Sequence, residues 1–321
     1  MNDIPALVER VAAGDRRAFS RVLTLVEDAP ADVQREVIAA LHPLAGGTRL
    51  IGITGSPGVG KSSVTSALVT ELRSRGRRVA ILAVDPSSPL TGGALLGDRI
   101  RMQAHHGDDG VFVRSMATRG HLGGLAAAVP AAALVADAAG FDDVVLETVG
   151  VGQSEVDVAA MADTTLVVLA PGLGDGVQAA KAGILEVADV LVVNKADQPG
   201  AGKLESELRG MLELGHAVSP EVHADWMPPL LRTVAVRGEG FDALLDAIDG
   251  HGVAVAAAGG HARARARARR WVVELAAGRL RDVLAAPGGP LADRLDALAG
   301  EVAERRLDPL TAAERLTSGL G

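Results

Sequence analysis

The octapeptide GSPGVGKS, residues 55–62, has the residue types and spacing to hold a polyphosphate, because it fits G-x-x-x-x-G-K-[ST]. Gly55, Gly58 and Gly60 free the backbone to turn N–H groups inward around phosphate oxygens, with Ser56, Pro57 and Val59 completing the loop. Lys61 is placed to reach the β- and γ-phosphates. The Ser62 hydroxyl can ligate Mg2+, and Ser63 follows it in the first helical turn, whose dipole favours an anion. A chance glycine turn is the blander reading. Against it stand the apolar RLIGIT before the loop and the helical SVTSALVTEL after it, the strand-to-helix setting that the motif requires.

NKAD, residues 194–197, ends a second apolar run, VLVV. Asp197 can accept both the N1–H and the exocyclic N2–H2 of guanine. Asn194 can meet the O6/N7 edge, and the Lys195 stem can lie against the ring. Adenine lacks that donor pair and would leave Asp197 desolvated and unpaired, a mismatch that discriminates strongly. The alternative is a capped strand-to-helix loop. VAVRGEG (234–240) stands where a third base-side loop is expected, with the backbone of Ala235 and Val236 able to touch guanine O6.

A site of this chemistry needs a second acid near Mg2+, at the end of a strand beside the phosphate-loop strand. VVLE supplies Glu147, and Gly150 follows at the spacing of a D-x-x-G switch with Glu in place of Asp. The Gly150 N–H would sense the γ-phosphate, and the longer Glu147 can reach the metal through water. Asp85, which ends AILAVD, and Asp98, in LLGDRIRM, are further candidates for the metal shell. Three carboxylates exceed what Mg2+ usually takes directly from protein, so some are expected to ligate in one nucleotide state only. His105 and His106 are adjacent, lack the i, i+4 spacing of helical metal ligands, and read as surface or packing residues.

These residues need a frame to hold them. Apolar runs at 49–54, 77–85, 111–115, 143–148, 164–170, 189–195 and 230–236 alternate for the most part with helical stretches. That order predicts right-handed βαβ units and an α/β, doubly wound, mostly parallel sheet. Residues 4–44 read as two or three amphipathic helices, with Asp15 and Asp32 as candidate caps. Past residue 250 the strand pattern stops. One long helix opens with alternating Arg and Ala, and two shorter helices are expected near 291–306 and 310–318. The organisation expected is therefore an N-terminal helical extension (1–45), a core domain (46–250) and a C-terminal helical extension (251–321).

Composition removes several other classes. Hydrophobic residues make up 48% of the 321-residue chain and aromatics 2%, so the core must be built from Ala, Val and Leu. Few aromatics and a net charge of −8 argue against a nucleic-acid platform or an anionic lipid surface as partner. Arg263, Arg265, Arg267, Arg269 and Arg270 splay around their helix and read as a solvated face or a subunit contact. With no cysteine, thiolate metal sites and Cys nucleophiles are excluded. No secretory signal opens the chain, and LAAAVPAAALVADAAG is interrupted by Pro130 and Asp137, short of the roughly 20 apolar residues of a membrane helix. The cytoplasm is the expected location.

Taken together, GITGSPGVGKSS, DPSSPLTGGALLGDRIRM, RSMATRGHLGGL, VVLETVGVGQSEVDVA and VVNKAD resemble one family closely, over most of the chain from about Gly52 to Gly240. It is the MeaB/ArgK group of P-loop GTPases, which includes the methylmalonic aciduria type A proteins. The resemblance implies a GTP-hydrolysing chaperone of an adenosylcobalamin-dependent acyl-CoA mutase, chiefly methylmalonyl-CoA mutase, that gates cofactor loading and protects or rescues the mutase. It implies a homodimer that uses its C-terminal extension. The segment GLGDGVQAAKAG (172–183) looks like the one that couples nucleotide state to the mutase, with Asp175, Gln178 and Lys181 on the family's polar positions. Gln178 and Lys181 share a helix face, and Lys181 is expected to join Lys61 near the γ-phosphate when the partner docks, unless it is a plain surface lysine.

Three departures stand out. Arg99 replaces a common Lys, and VAVRGEG differs from the usual S-A-x-T-G-x-G at its first residue and at Arg237. Val151 stands where small GTPases carry a water-positioning Gln, with Gln153 two residues on, so unaided hydrolysis should be slow and partner-dependent. No D-x-H-x-x-G cobalamin signature is present, which assigns the cobalamin to the partner. The rival readings are a nickel-type metallochaperone GTPase, which should carry Cys or His clusters, a kinase of basic amino-acid transport proteins, and a non-catalytic scaffold held by GDP.

Overall fold

The computed structural model describes residues 3–85, 105, 107–117, 125–148, 161–172, 187–218, 226–259, 261–286, 288–289 and 291–318. Two compact units divide at residues 270 and 271. In the first, seven strands form one sheet: β1 (Arg49–Thr54), β2 (Val79–Asp85), β3 (Val111–Ala117), β4 (Asp143–Thr148), β5 (Thr164–Leu169), β6 (Val190–Val193) and β7 (Leu230–Arg232). Their order is β3-β2-β4-β1-β5-β6-β7, and every pairing is parallel. Strands covered on both faces by helices have no polar side to show, which is why β5 and β6 are buried at every position.

Alternation along each strand sorts the core into two layers. Ile51, Ile53, Leu166 and Val168 pack with Val64, Leu68 and Leu72 of α4 (Lys61–Ser74). Leu244, Leu245 and Ile248, from the late helix Phe241–Ala257, join the same cluster. Val167, Leu169, Leu191 and Val193 turn the other way and cluster with Leu204, Leu208 and Leu212 of the helix Ala201–Val218. In chain order the helices are α1 (Ile4–Ala12), α2 (Arg16–Asp28), α3 (Ala31–Leu41), α4, α5 (Leu125–Ala138), α6 (Ala201–Val218) and α7 (Phe241–Ala257).

The N-terminal stretch is three helices. Asp15 caps α2 through the N–H groups of Arg17 and Ala18, at 2.8 and 3.0 Å. The Ala18 bond first, then Arg10, holds its carboxyl below the usual range. Asp32 is not a cap, contrary to expectation: Pro30 occupies that position and Asp32 lies inside the first turn of α3. Pro130, which interrupts the apolar run, lies inside α5. The backbone bond that a proline forfeits is outweighed by the burial of Val129, Ala132, Ala133, Val135 and Ala136 around it. Asp137 on the same helix accepts the N–H groups of Gly46, Gly47 and Thr48, at 2.7, 3.1 and 3.1 Å, and so fixes the entry to β1.

A core of Ala, Val and Leu was expected, but three of the chain's four phenylalanines gather in one place. Phe19 of α2 meets Phe112 of β3 edge-on at 4.5 Å and Phe141, just before β4, at 5.1 Å. They fasten the N-terminal helices to the sheet. The expected strand at 230–236 is shorter than it reads. β7 ends at Arg232, and Ala235–Arg237 form a 3-10 turn closed by glycines in the left-handed region. The second unit begins inside α8 (His261–Ala285) and includes α9 (Ala292–Ala303) and α10 (Pro309–Thr317), with Leu298, Ala312 and Leu316 as its small core. Arg265 and Arg269 of α8 are exposed. No helix among the described residues is long and apolar enough to cross a membrane.

Phe19→Ala should lower stability by about 3–4 kcal/mol, because the hole opens between two rings that cannot close over it. Urea unfolding would read this as a lower midpoint, and a loss below about 1 kcal/mol would show that the helices are held elsewhere.

Candidate nucleotide-binding site

β1 lies between β4 and β5 at the centre of the sheet, so the loop leaving its C-terminal end has a strand end on either side. Gly55 begins that loop at φ 139°, and a Cβ there would sit 2.1 Å from the Val168 carbonyl oxygen of β5. No side chain fits. Gly60 closes the loop at φ 95° as the N-cap of α4, and a Cβ there would come within 2.6 Å of Asn194 Nδ2. Between them Val59 is buried, whereas Pro57 and Gly58 are exposed.

Lys61 folds back under the loop. Its Nζ donates to the carbonyls of Gly55 and Ser56, at 2.6 and 3.2 Å. Ser62 is buried, and its Oγ donates to Glu147 Oε1 at 2.5 Å; Ser63 is exposed. The strand register explains the meeting, since Glu147 of β4 pairs with Ile53 of β1, two residues before the loop. A serine that donates its proton to Glu147 can present an oxygen lone pair to a cation. Serine hydroxyl and carboxylate are the hard oxygen donors that suit Mg2+. Asp85 ends β2 one step beyond the Val84–Thr148 pairing, at the same edge of the sheet. Asp98, Gly150, Asp175, Gln178 and Lys181 lie outside the described residues. His105 is buried and sits within 3.0 Å of the Ser66 carbonyl and 3.1 Å of its hydroxyl, a packing position as expected.

The base side is built by the ends of β6 and β7. Asn194, expected at the guanine O6/N7 edge, is 2% exposed, and both ends of its amide also bond protein groups. Its Nδ2 donates to the Val59 carbonyl at 2.9 Å. Its Oδ1 accepts from Thr233 Oγ1 and from the Ala235 N–H, both at 3.2 Å. A buried amide has to satisfy both ends, and here it does so by tying three loops together. The Ala235 N–H expected near O6 is thereby engaged with Asn194, while Val236 stands 83% exposed beside it. Lys195 adopts φ 56°, which sends its Nζ to the Gly58 carbonyl at 2.8 Å and draws its stem along the loop.

Asp197 is half-exposed and accepts from Arg237 Nη1 at 3.1 Å. Arg237 also forks onto Glu239, with Nε–Oε1 at 2.6 Å and Nη2–Oε2 at 3.3 Å. The Glu239 hydrogen bond, and then the two carboxylate charges, raise the Arg237 pKa. Thr233, Arg237 and Glu239 were not expected in the site. Of the three, only Arg237 left a trace in the sequence, as a departure from the usual loop.

A glycine loop between strand and helix, a buried Ser–Glu pair and a base loop tied to the glycine loop together define a P-loop nucleotide-binding protein of the GTPase class. The family model for methylmalonyl-CoA mutase-associated GTPase MeaB matches residues 19–288, and the chain belongs to that family. A relative from Pyrococcus abyssi, itself named as a GTPase, is 51% identical over 248 residues, 77% of this chain and 76% of that one. GTPase ArgK of Escherichia coli is 37% identical over 244 residues, 75% of this chain and 73% of that one. The solved structure of an LAO/AO transport system kinase superposes with a TM-score of 0.72 at 26% identity, covering 100% of this chain and 99% of that one.

Gly60→Ala should displace the Asn194 amide and lower guanine-nucleotide affinity by about 100-fold or more, with the helical content in circular dichroism kept. Asn194→Ala should do the same to binding and also cost about 2–4 kcal/mol of stability, because it orphans its partners in the phosphate loop and in the loop after β7. Wild-type affinity in either variant, read by titration with a fluorescent GDP analogue, would count against this geometry.

Proposed function

We propose that this protein is a GTP-hydrolysing switch, working in the cytoplasm as a homodimer, that gates cofactor loading into an adenosylcobalamin-dependent acyl-CoA mutase, methylmalonyl-CoA mutase first among them. The observation that supports the nucleotide part is the hydrogen bond from Asn194 to Val59, which ties the NKAD loop to the phosphate loop. The mutase part is supported by family membership.

The reaction is transfer of the γ-phosphoryl group of GTP to water, giving GDP and phosphate. Backbone N–H groups of residues 58–62 and the Lys61 ammonium hold the phosphate oxygens. Ser62 and Glu147 would hold Mg2+, with Asp85 and Asp98 as further candidates for its shell. When bound, the cation would neutralise charge growing on the β–γ bridge. Gly150 would sense the γ-phosphate. With Val151 in place of a water-positioning glutamine, the chain by itself aligns water poorly. Asp175, Gln178 and Lys181 are proposed to complete the catalytic set when the mutase docks. The cobalamin stays with the partner.

One observation favours a second reading. The solved structure that overlays the whole chain carries the name of a transport-system kinase. Transfer of labelled γ-phosphate from nucleotide onto a protein would support it, and release as free phosphate would not.

Turnover should be slow for the protein alone and rise by about tenfold or more on adding the cognate mutase. Glu147→Gln should cut the stimulated rate by about 100-fold, since the Ser62 hydroxyl loses its charged acceptor. A survey of candidate acyl-CoA mutases in which none changes the GTPase rate would sink the chaperone reading. ATP hydrolysis as fast as GTP hydrolysis would sink the base assignment.

A further inference from the structure

We infer that Arg237 is a positioning residue for the guanine edge: it fixes the plane of the Asp197 carboxylate and so sets how strongly the site prefers a 2-amino purine. The inference rests on the guanine-nucleotide reading above and goes one residue beyond it. To take N1–H and N2–H2 together, both oxygens of Asp197 must lie in the plane of the base. Nothing intrinsic holds them there, because the terminal torsion of an aspartate is broad and this side chain is 38% exposed.

What the loop supplies is a chain of fixed contacts. Val234 and Glu239 pair as an antiparallel bridge, with N···O distances of 3.1 and 3.4 Å. Gly240, at φ 85°, presses so near the Arg232 carbonyl that a Cβ would stand 2.2 Å from its oxygen, so the return of the chain has one path. Glu239 in turn holds the guanidinium of Arg237 through two nitrogens. A guanidinium gripped in a planar fork presents its remaining N–H in a set direction. Here that direction leads to Asp197 Oδ2 at 3.1 Å. A carboxylate oxygen has two lone pairs, so accepting from Arg237 leaves Oδ2 one for the base.

The bland account of this trio is an exposed ion pair. Exposed pairs contribute little to stability, and Arg237 and Glu239 side chains are 49% and 58% exposed. Stability therefore gives little reason for the arrangement, whereas its geometry has a direct consequence for Asp197. The position is also one where the sequence departs from the usual S-A-x-T-G-x-G loop. Val234 replaces the serine whose hydroxyl could have served an acceptor nearby, and an arginine stands in the same loop with a donor to give.

The test measures dissociation constants of GDP, IDP and ADP for the full chain and for Arg237→Ala, Arg237→Lys and Glu239→Gln. IDP keeps N1–H but lacks the 2-amino group. For Arg237→Ala the GDP constant should rise about tenfold while the IDP constant moves by no more than about twofold, so the preference for GDP over IDP collapses at unchanged thermal midpoint. Glu239→Gln should give a partial collapse, and Arg237→Lys a partial rescue. An unchanged GDP-to-IDP ratio overturns the inference, as does equal weakening of both nucleotides, which would mark a general loop role. If the wild-type protein binds ADP as well as GDP, the guanine reading itself fails and takes the inference with it. Guanine preference intact in the wild type and unmoved in the variants removes Arg237 alone.

Discussion

The buried amide of Asn194 is the contact on which the site depends. Its donor holds Val59 in the phosphate loop, and its acceptor holds Thr233 and Ala235 in the loop after β7. Because the amide is 2% exposed, releasing any of these partners would leave a polar group in the interior, at roughly 1–3 kcal/mol each. Three loops that could otherwise move separately are thereby held at one spacing. The requirement reaches back into composition: position 60 must be glycine, since a Cβ there would lie 2.6 Å from the Asn194 nitrogen. Phosphate and base recognition are set by one hydrogen-bond network.

The parallel sheet makes such a network possible and also divides the labour between its two edges. The C-terminal ends of β1, β4, β6 and β7 and the loops leaving them carry the glycines, Glu147, Asn194 and Arg237. The N-terminal ends carry groups that close the structure. Asp143 is fully buried there between Arg49 and Arg77. His251 of α7, also fully buried, sits between Thr164 Oγ1 at 2.9 Å and Asp189 Oδ1 at 3.0 Å. Polar residues are costly inside a protein unless paired. The pairs at that edge hold strand starts and α7 together, and the opposite edge is left for chemistry.

Much of this was legible in the sequence, for physical reasons that can be stated. Buried parallel strands are apolar on both faces, so six of the seven runs mark their strands to within about two residues. β7 is shorter than its apolar run because VAV at 234–236 is as apolar as a strand, while the bridge to Glu239 and the turn at Ala235–Arg237 depend on contacts that a linear pattern cannot contain. The glycine loop and NKAD were readable as motifs because their backbone conformations restrict residue type. The meeting of Ser62 and Glu147 could be guessed from strand ends alone. The bonds of Asn194 to Val59, Thr233 and Ala235 could not, since a side-chain amide can serve many partners and only the fold brings these within reach. The phenylalanine cluster was hidden for a different reason: a scarce residue type gives no periodicity, although Phe19, Phe112 and Phe141 lie far apart in the chain and meet in space.

The polar groups of the site have protein partners within reach, and this bears on how a nucleotide would bind. Lys61 reaches two loop carbonyls, Ser62 reaches Glu147, and Arg237 reaches Asp197. A phosphate oxygen arriving at Lys61 would compete with carbonyls, so the net gain per neutral bond is only about 1 kcal/mol. Charge contributes more, because a polyphosphate turns neutral acceptors into anionic ones and strengthens each bond roughly twofold. At Asp197 the logic runs the other way. The base brings neutral donors to a carboxylate already served by a guanidinium, so affinity there depends on how well that carboxylate is aimed. The two halves of the site would therefore work by different physics. The phosphate half would supply the binding strength through charge, and the base half would supply selectivity through orientation.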